Sequence, residues 1–156
     1  MPKVSSSELD FHRKIAKQCF NETWELLDKK DRTPEDDKQM LLLTHTSRYH
    51  WATVGNTSNL AVGEWQISRV YANLKQAEPS LLFARSALDL CVKNKLSDLL
   101  PSAYEGMARA YATANDAPHA RDCVARARKE LESVKDNEDR KLYADQISET
   151  EALILP

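Results

Sequence analysis

Residues 68 to 90 read SRVYANLKQAEPSLLFARSALDL, and residues 108 to 131 read ARAYATANDAPHARDCVARARKEL. Setting Tyr71 on Tyr111 superimposes the two stretches at a spacing of 40 residues, and self-similarity at a fixed period of this size marks stacked helical units. The agreement is chemical. Ser68 and Ala108 are small residues three positions before each tyrosine, where two helices can approach closely. Pro79 and Pro118 fall near the start of each second helix, and Ala84 with Ala87 answers Val124 with Ala127 on its packing face.

Working outward, the same helical period continues to both ends. A first helix is expected from a Ser6 or Ser7 cap to about Lys29, with Leu9, Ala16, Cys19, Phe20, Thr23 and Leu27 on one face. The run DRTPEDD stops it and starts a second helix: Thr33 caps, Pro34 suits the first helical position, and Glu35 to Asp37 complement the dipole. That second helix should end at Gly55 and, being apolar nearly all round, should be buried. Further helices are expected over about 57–75, 78–94, 100–114, 117–134 and 137–153. Gly occurs only at Gly55, Gly63 and Gly106, and no stretch alternates β-branched residues around hairpin turns. The expectation is one all-α domain over 1–156 made of about seven helices in antiparallel hairpins, with repeat-like units over about 61–96 and 101–134 and a capping helix over about 137–153.

Composition narrows the function classes. The formal net charge is -2 with 29% charged residues, so no strong field favours a nucleic acid or an anionic membrane surface. No apolar run approaches the roughly 20 residues of a membrane-spanning helix, and the opening MPKVSSSELDFHRK lacks a secretory apolar stretch. A cytoplasmic protein is expected. Cys19, Cys91 and Cys123 are odd in number and far apart, which suits buried reduced thiols better than a disulfide framework.

The small residue, the tyrosine three positions on, the tight turn and the small residues of the second helix together resemble the tetratricopeptide repeat. The resemblance covers about Ala61 to Arg128, although Ser68 and Ala108 stand at the packing site where that family usually has Gly, and Ser80 opens the second-helix seam. It implies hairpins stacked as a short right-handed superhelix, with first-helix residues lining a concave surface that receives peptides. The segments SRYHW and GEWQISRVYA are also similar to those of an uncharacterised bacterial helical-repeat family, from which no activity follows.

On that concave surface the resemblance places Trp65, Arg69 and Asn73, with Glu105, Arg109 and Thr113 at the matching positions one unit on. Aromatic and guanidinium groups concentrate interface energy, so this set is the expected contact surface for a protein or peptide partner. The alternative is that Trp65 packs beneath the first two helices. A second candidate surrounds Glu64, which lies inside the apolar stripe Leu60, Ile67, Val70, Tyr71 and Leu74 and is the only acidic residue between Asp37 and Glu78. A buried carboxylate needs a partner; Arg48 is the natural one and His45 the second. Either the pair is structural, or His45, Arg48, His50 and Glu64 form a polar pocket for a small ligand.

Metal is not expected, because a five-residue histidine spacing does not set both rings on one helix face, and no cofactor is implied. No phosphate loop or nucleophile elbow occurs, and the His119 and Cys123 pair sits at a spacing common by chance, so no catalytic residue is assigned. The apolar end LILP after the last helix offers a surface to a second copy of the chain.

Overall fold

The computed structural model describes residues 3–156. It contains α1 (Ser6–Asp28), α2 (Pro34–Val54), α3 (Thr57–Asn73), α4 (Ala77–Lys93), a short 3-10 turn (Ser97–Leu99), α5 (Leu100–Thr113), α6 (Ala117–Leu131) and α7 (Asn137–Glu151). No strand occurs among the described residues, so the all-α expectation holds.

Local chemistry explains where these helices begin. Ser5, one residue before the expected cap, accepts a hydrogen bond from the Glu8 N–H while the Glu8 carboxylate accepts one from the Ser5 N–H. Thr33 with Asp36 and Asn56 with Asn59 repeat that reciprocal arrangement at α2 and α3. Each box satisfies N–H groups that a helix start otherwise leaves without partners.

The helix ends carry the repeat. Lys75, Lys95 and Asn115 have φ of 60°, 55° and 59°, a left-handed turn that closes α3, α4 and α5. The next N–H then returns to a carbonyl five residues back: Gln76 to Tyr71, Leu96 to Cys91 and Asp116 to Tyr111, each at 2.9 Å. Tyr71 and Tyr111 therefore occupy the same place in two hairpins. Their rings also lie on the following helix, Tyr71 stacked on Phe83 at 5.8 Å and Tyr111 on His119 at 5.0 Å.

Small residues set how closely each hairpin packs. Ser68 and Ser80 are fully buried where α3 crosses α4, and each hydroxyl donates to the other's carbonyl, at 2.8 and 2.9 Å. The matching positions, Ala108 and Ala120, are both 0% exposed, so a purely steric contact replaces the hydroxyl pair one unit later.

The hairpins α1–α2, α3–α4 and α5–α6 stack in chain order. Odd-numbered helices also touch one another, α3 against α5 and α5 against α7, but α1 meets α3 only thinly. They form an inner row, and α2, α4 and α6 lie outside. Ile67, Val70, Ala108, Val124, Ala127 and Ile147 are buried between the rows, the larger of them contributing about 1.5–3 kcal/mol each.

One expectation fails here. The second helix is not buried all round: Met40, Thr44 and Ser47 are, but Leu42 is 64% and Tyr49 72% exposed. As the first outer helix it packs mainly on α1 and α3, with His45 also against Phe83 of α4, so its far side meets solvent whatever its composition.

Candidate functional site

The inner row brings the repeat-matched residues together, but under cover. Trp65 (8% exposed) projects from α3 and donates its indole N–H to Glu105 on α5 at 2.7 Å. Glu105, at 1% exposure, also accepts from Arg109 Nε at 3.1 Å and from the Thr150 hydroxyl of α7 at 2.6 Å. Arg69 approaches the same carboxylate at 3.6 Å and reaches Glu149 on α7 at 3.4 Å. Its guanidinium lies 5.1 Å from the Trp24 ring of α1 and 5.7 Å from Trp65, a favourable cation–aromatic position.

Trp65, Glu105 and Arg109 are thus not an exposed contact set, because α1 contributes Trp24 and α7 contributes Glu149 and Thr150 over them. Asn73 and Thr113 point back instead: Asn73 donates to the Arg69 carbonyl at 3.1 Å and Thr113 to the Arg109 carbonyl at 2.9 Å. The two units remain equivalent even in this detail. Close approach of α3 and α5 depends on Gly106, where a Cβ would stand 2.9 Å from Trp65 Cδ1.

Two arginines face two acids here, but only one of the acids is buried. Arg69 and Arg109 have side chains 11% and 10% exposed, and between them they share one buried carboxylate. Burial, and after it the Arg109 guanidinium, hold the Arg69 pKa below its ordinary value against the opposite pull of Glu105 and Glu149.

The residues around Glu64 separate into three pairs. Arg48 Nε and Nη2 both lie 3.0 Å from Glu64 Oε1, while Oε2 is buried without a hydrogen-bond partner. Burial raises the Glu64 pKa despite Arg48. His45 instead meets the Tyr71 hydroxyl at 3.0 Å and packs edge-on against Phe83. His50 faces His12 of α1, Nδ1 to Nδ1 at 2.7 Å. His45, Arg48 and His50 line one shallow outer concavity, which Glu64 does not enter. The four residues therefore do not converge on one pocket.

A deeper chamber opens on the inner side, where the thin α1–α3 contact leaves room. Its volume is about 370 Å³. Phe20 and Trp24 of α1, Val62 and Trp65 of α3, and Leu142 and Tyr143 of α7 wall it. Small side chains floor it, namely Ala61, Ala87, Cys91 and Ala103, with Ser102 and Gln146 as polar points. Burial pushes the Cys91 thiol up to about 11, so at neutral pH it is a small apolar group.

A smaller cavity of about 220 Å³ shares Trp24 with it and is lined by Asp28, Arg69, Asn73, Arg109 and Glu149. Sequence reasoning identified Trp65, Arg69 and Arg109 from the repeat match, but it missed Trp24, Glu149 and the chamber. Those arise from α1 and α7 meeting over the inner row, which no local pattern encodes.

Among the described residues no cluster of three or more His, Cys, Asp or Glu side chains is placed to hold a metal ion, and no helix is long and apolar enough to cross a membrane. Comparison of the chain with protein-family models, with curated proteins and with solved structures found no match.

Proposed function

We propose that this chain is a non-enzymatic binding module, a short tetratricopeptide-like array whose inner face closes around a chamber that receives an apolar group. The observation that carries this reading is the chamber itself: about 370 Å³ walled by Phe20, Trp24, Trp65, Leu142 and Tyr143, within the size and character of small-ligand sites. An extended peptide groove is disfavoured, because Trp65, Glu105 and Arg109 are buried beneath side chains of α1 and α7. Three buried free thiols suit a reducing compartment, so we place the protein in the cytoplasm.

Titration with the neutral fluorescent probe N-phenylnaphthylamine tests the proposal. Saturable enhancement is expected in the wild type, and its loss in Ser102→Leu with unchanged helical circular dichroism. Enhancement that never saturates, or that survives Ser102→Leu unaltered, would refute the site.

A second reading has its own support. Leu142 and Leu153, by the chamber and the smaller cavity, are 52% and 51% exposed, an apolar rim that a protein partner could cover while inserting one side chain. Under that reading Leu142→Ser abolishes capture of the partner from a native extract but leaves N-phenylnaphthylamine binding intact. Capture that survives Leu142→Ser would count against it.

A further inference from the structure

The chamber and the smaller cavity beside it differ in character, and together they describe one ligand. Trp24 lines both. The larger space is apolar, whereas the smaller contains two guanidinium groups that the protein itself satisfies only in part. Arg109 spends Nε on Glu105, and no hydrogen bond from its terminal Nη groups occurs among the described residues. Arg69 Nη1 is buried with no hydrogen-bond partner, 3.6 Å from Glu105, and Nη2 has only the 3.4 Å contact to Glu149.

Glu149 is weakly committed, since its side chain is 62% exposed, and a single long contact near solvent is easily exchanged. The fully buried acid, Glu105, neutralises one of the two arginines. The second is met by the exposed Glu149, and Asp28 lines the same cavity with no ion pair to either arginine among the described residues. An anion that displaces Glu149 therefore meets a buried positive charge, and a planar guanidinium matches a carboxylate oxygen pair in geometry.

Resting on the binding reading above, we propose that the ligand is a small amphipathic monocarboxylate whose apolar body fills the chamber and whose carboxylate enters the smaller cavity to meet Arg109 and Arg69, displacing Glu149. The site selects by the combination. An apolar body alone gains burial but leaves the arginines as they are; a small anion alone gains the arginines but leaves the chamber unfilled.

Calorimetric titration of the full chain with naphthylacetate, naphthylethanol, naphthylethylamine and N-acetylnaphthylalanine tests this, because the four share one apolar body. The acid should bind about tenfold to a hundredfold more tightly than the alcohol, as expected for a charge-assisted hydrogen bond, and the amine most weakly. In Arg109→Gln the acid should weaken severalfold, Arg69 still meeting it, and the ratio of acid to alcohol affinity should fall. Because Arg109 also supports Glu105, Glu149→Gln provides a variant at an exposed position: by freeing Arg69 it should tighten the acid severalfold and leave the alcohol alone.

Equal affinity for acid and alcohol in the wild type, or no tightening in Glu149→Gln, overturns the carboxylate assignment but leaves the apolar chamber standing. Failure of both acid and alcohol to bind removes the binding reading itself. Tighter binding of N-acetylnaphthylalanine than of naphthylacetate would assign the carboxylate to a peptide terminus and refute the small-acid proposal.

Discussion

Replacing Glu105 by Leu removes the one charge on which the inner row converges. The lost contacts are the Trp65 indole bond at 2.7 Å, the Arg109 bond at 3.1 Å and the Thr150 bond at 2.6 Å. Simple addition would overstate the cost, since bonds to one carboxylate are not independent. The larger effect is what remains: two guanidiniums at 11% and 10% side-chain exposure, with the exposed Glu149 alone to balance them. Breaking a buried pair from one side costs about 3–5 kcal/mol, equivalent to roughly 6–20 °C in melting temperature for a chain of this size. Urea unfolding followed by far-ultraviolet circular dichroism reads it directly. Adding Arg109→Met to Glu105→Leu should recover about half or more of the loss, because removing both partners leaves no stranded charge in that pair. A loss under about 1 kcal/mol for Glu105→Leu alone, or no recovery in the double variant, would refute the view that this carboxylate organises the inner helices.

Glu64→Gln should behave differently from Glu105→Leu: burial already raises the Glu64 pKa and Arg48 is 23% exposed, so the same denaturation assay should find a change within about 1 kcal/mol, and a loss above about 3 kcal/mol would contradict the geometry. Stability should also fall with acid through the histidines. Burial lowers the pKa of His45, and burial with His12 lowers that of His50, so the unfolded chain binds more protons, and stability present above about pH 6.5 is lost as the pH drops through the folded values. The urea midpoint of His50→Gln should be less pH-dependent than that of the wild type over that range. Gly106→Ala should weaken the fold by about 1 kcal/mol, the crowding against Trp65 Cδ1 at 2.9 Å outweighing the gain in helix propensity, with a changed Trp fluorescence as the second readout.

The fold was legible because its signals are local. Thr33-Pro34 opens α2 as its chemistry requires, and α2 stops at Gly55 though with an extended backbone, φ -87°, in place of a left-handed cap, while the match of Tyr71 to Tyr111 survives as identical 2.9 Å helix closures. The Arg48–Glu64 pair was also legible, since one acid in an apolar stripe has few partners to choose from. The fate of the second helix was not, because Leu42 and Tyr49 look like core residues until the stack places no third neighbour against them. The inner site was half legible for the same reason. Period alone put Trp65 with Glu105 and Arg69 with Arg109, but whether that row faces solvent depends on Trp24, 41 residues before Trp65, and on Glu149 at the far end of the chain. Sequence spacing cannot report how far a stack curls.

The chamber exists because Ala61, Ala87, Cys91 and Ala103 stand where larger residues would close it, and this permits a test independent of any ligand. Close packing is the rule in protein interiors, so a space with no role should be improved by filling it. Ser102 lines the chamber at partial exposure, and no hydrogen bond from its hydroxyl occurs among the described residues. Ser102→Leu therefore adds apolar area against Trp65, Leu99 and Leu142 without stranding a polar group, and should stabilise by about 1–2 kcal/mol. If the space is held open for a ligand, the same change must abolish probe binding, giving opposed effects on stability and function. A variant that is less stable than the wild type would mean that the space is not available to a side chain at all, and the binding reading, which depends on that volume, would fall with it.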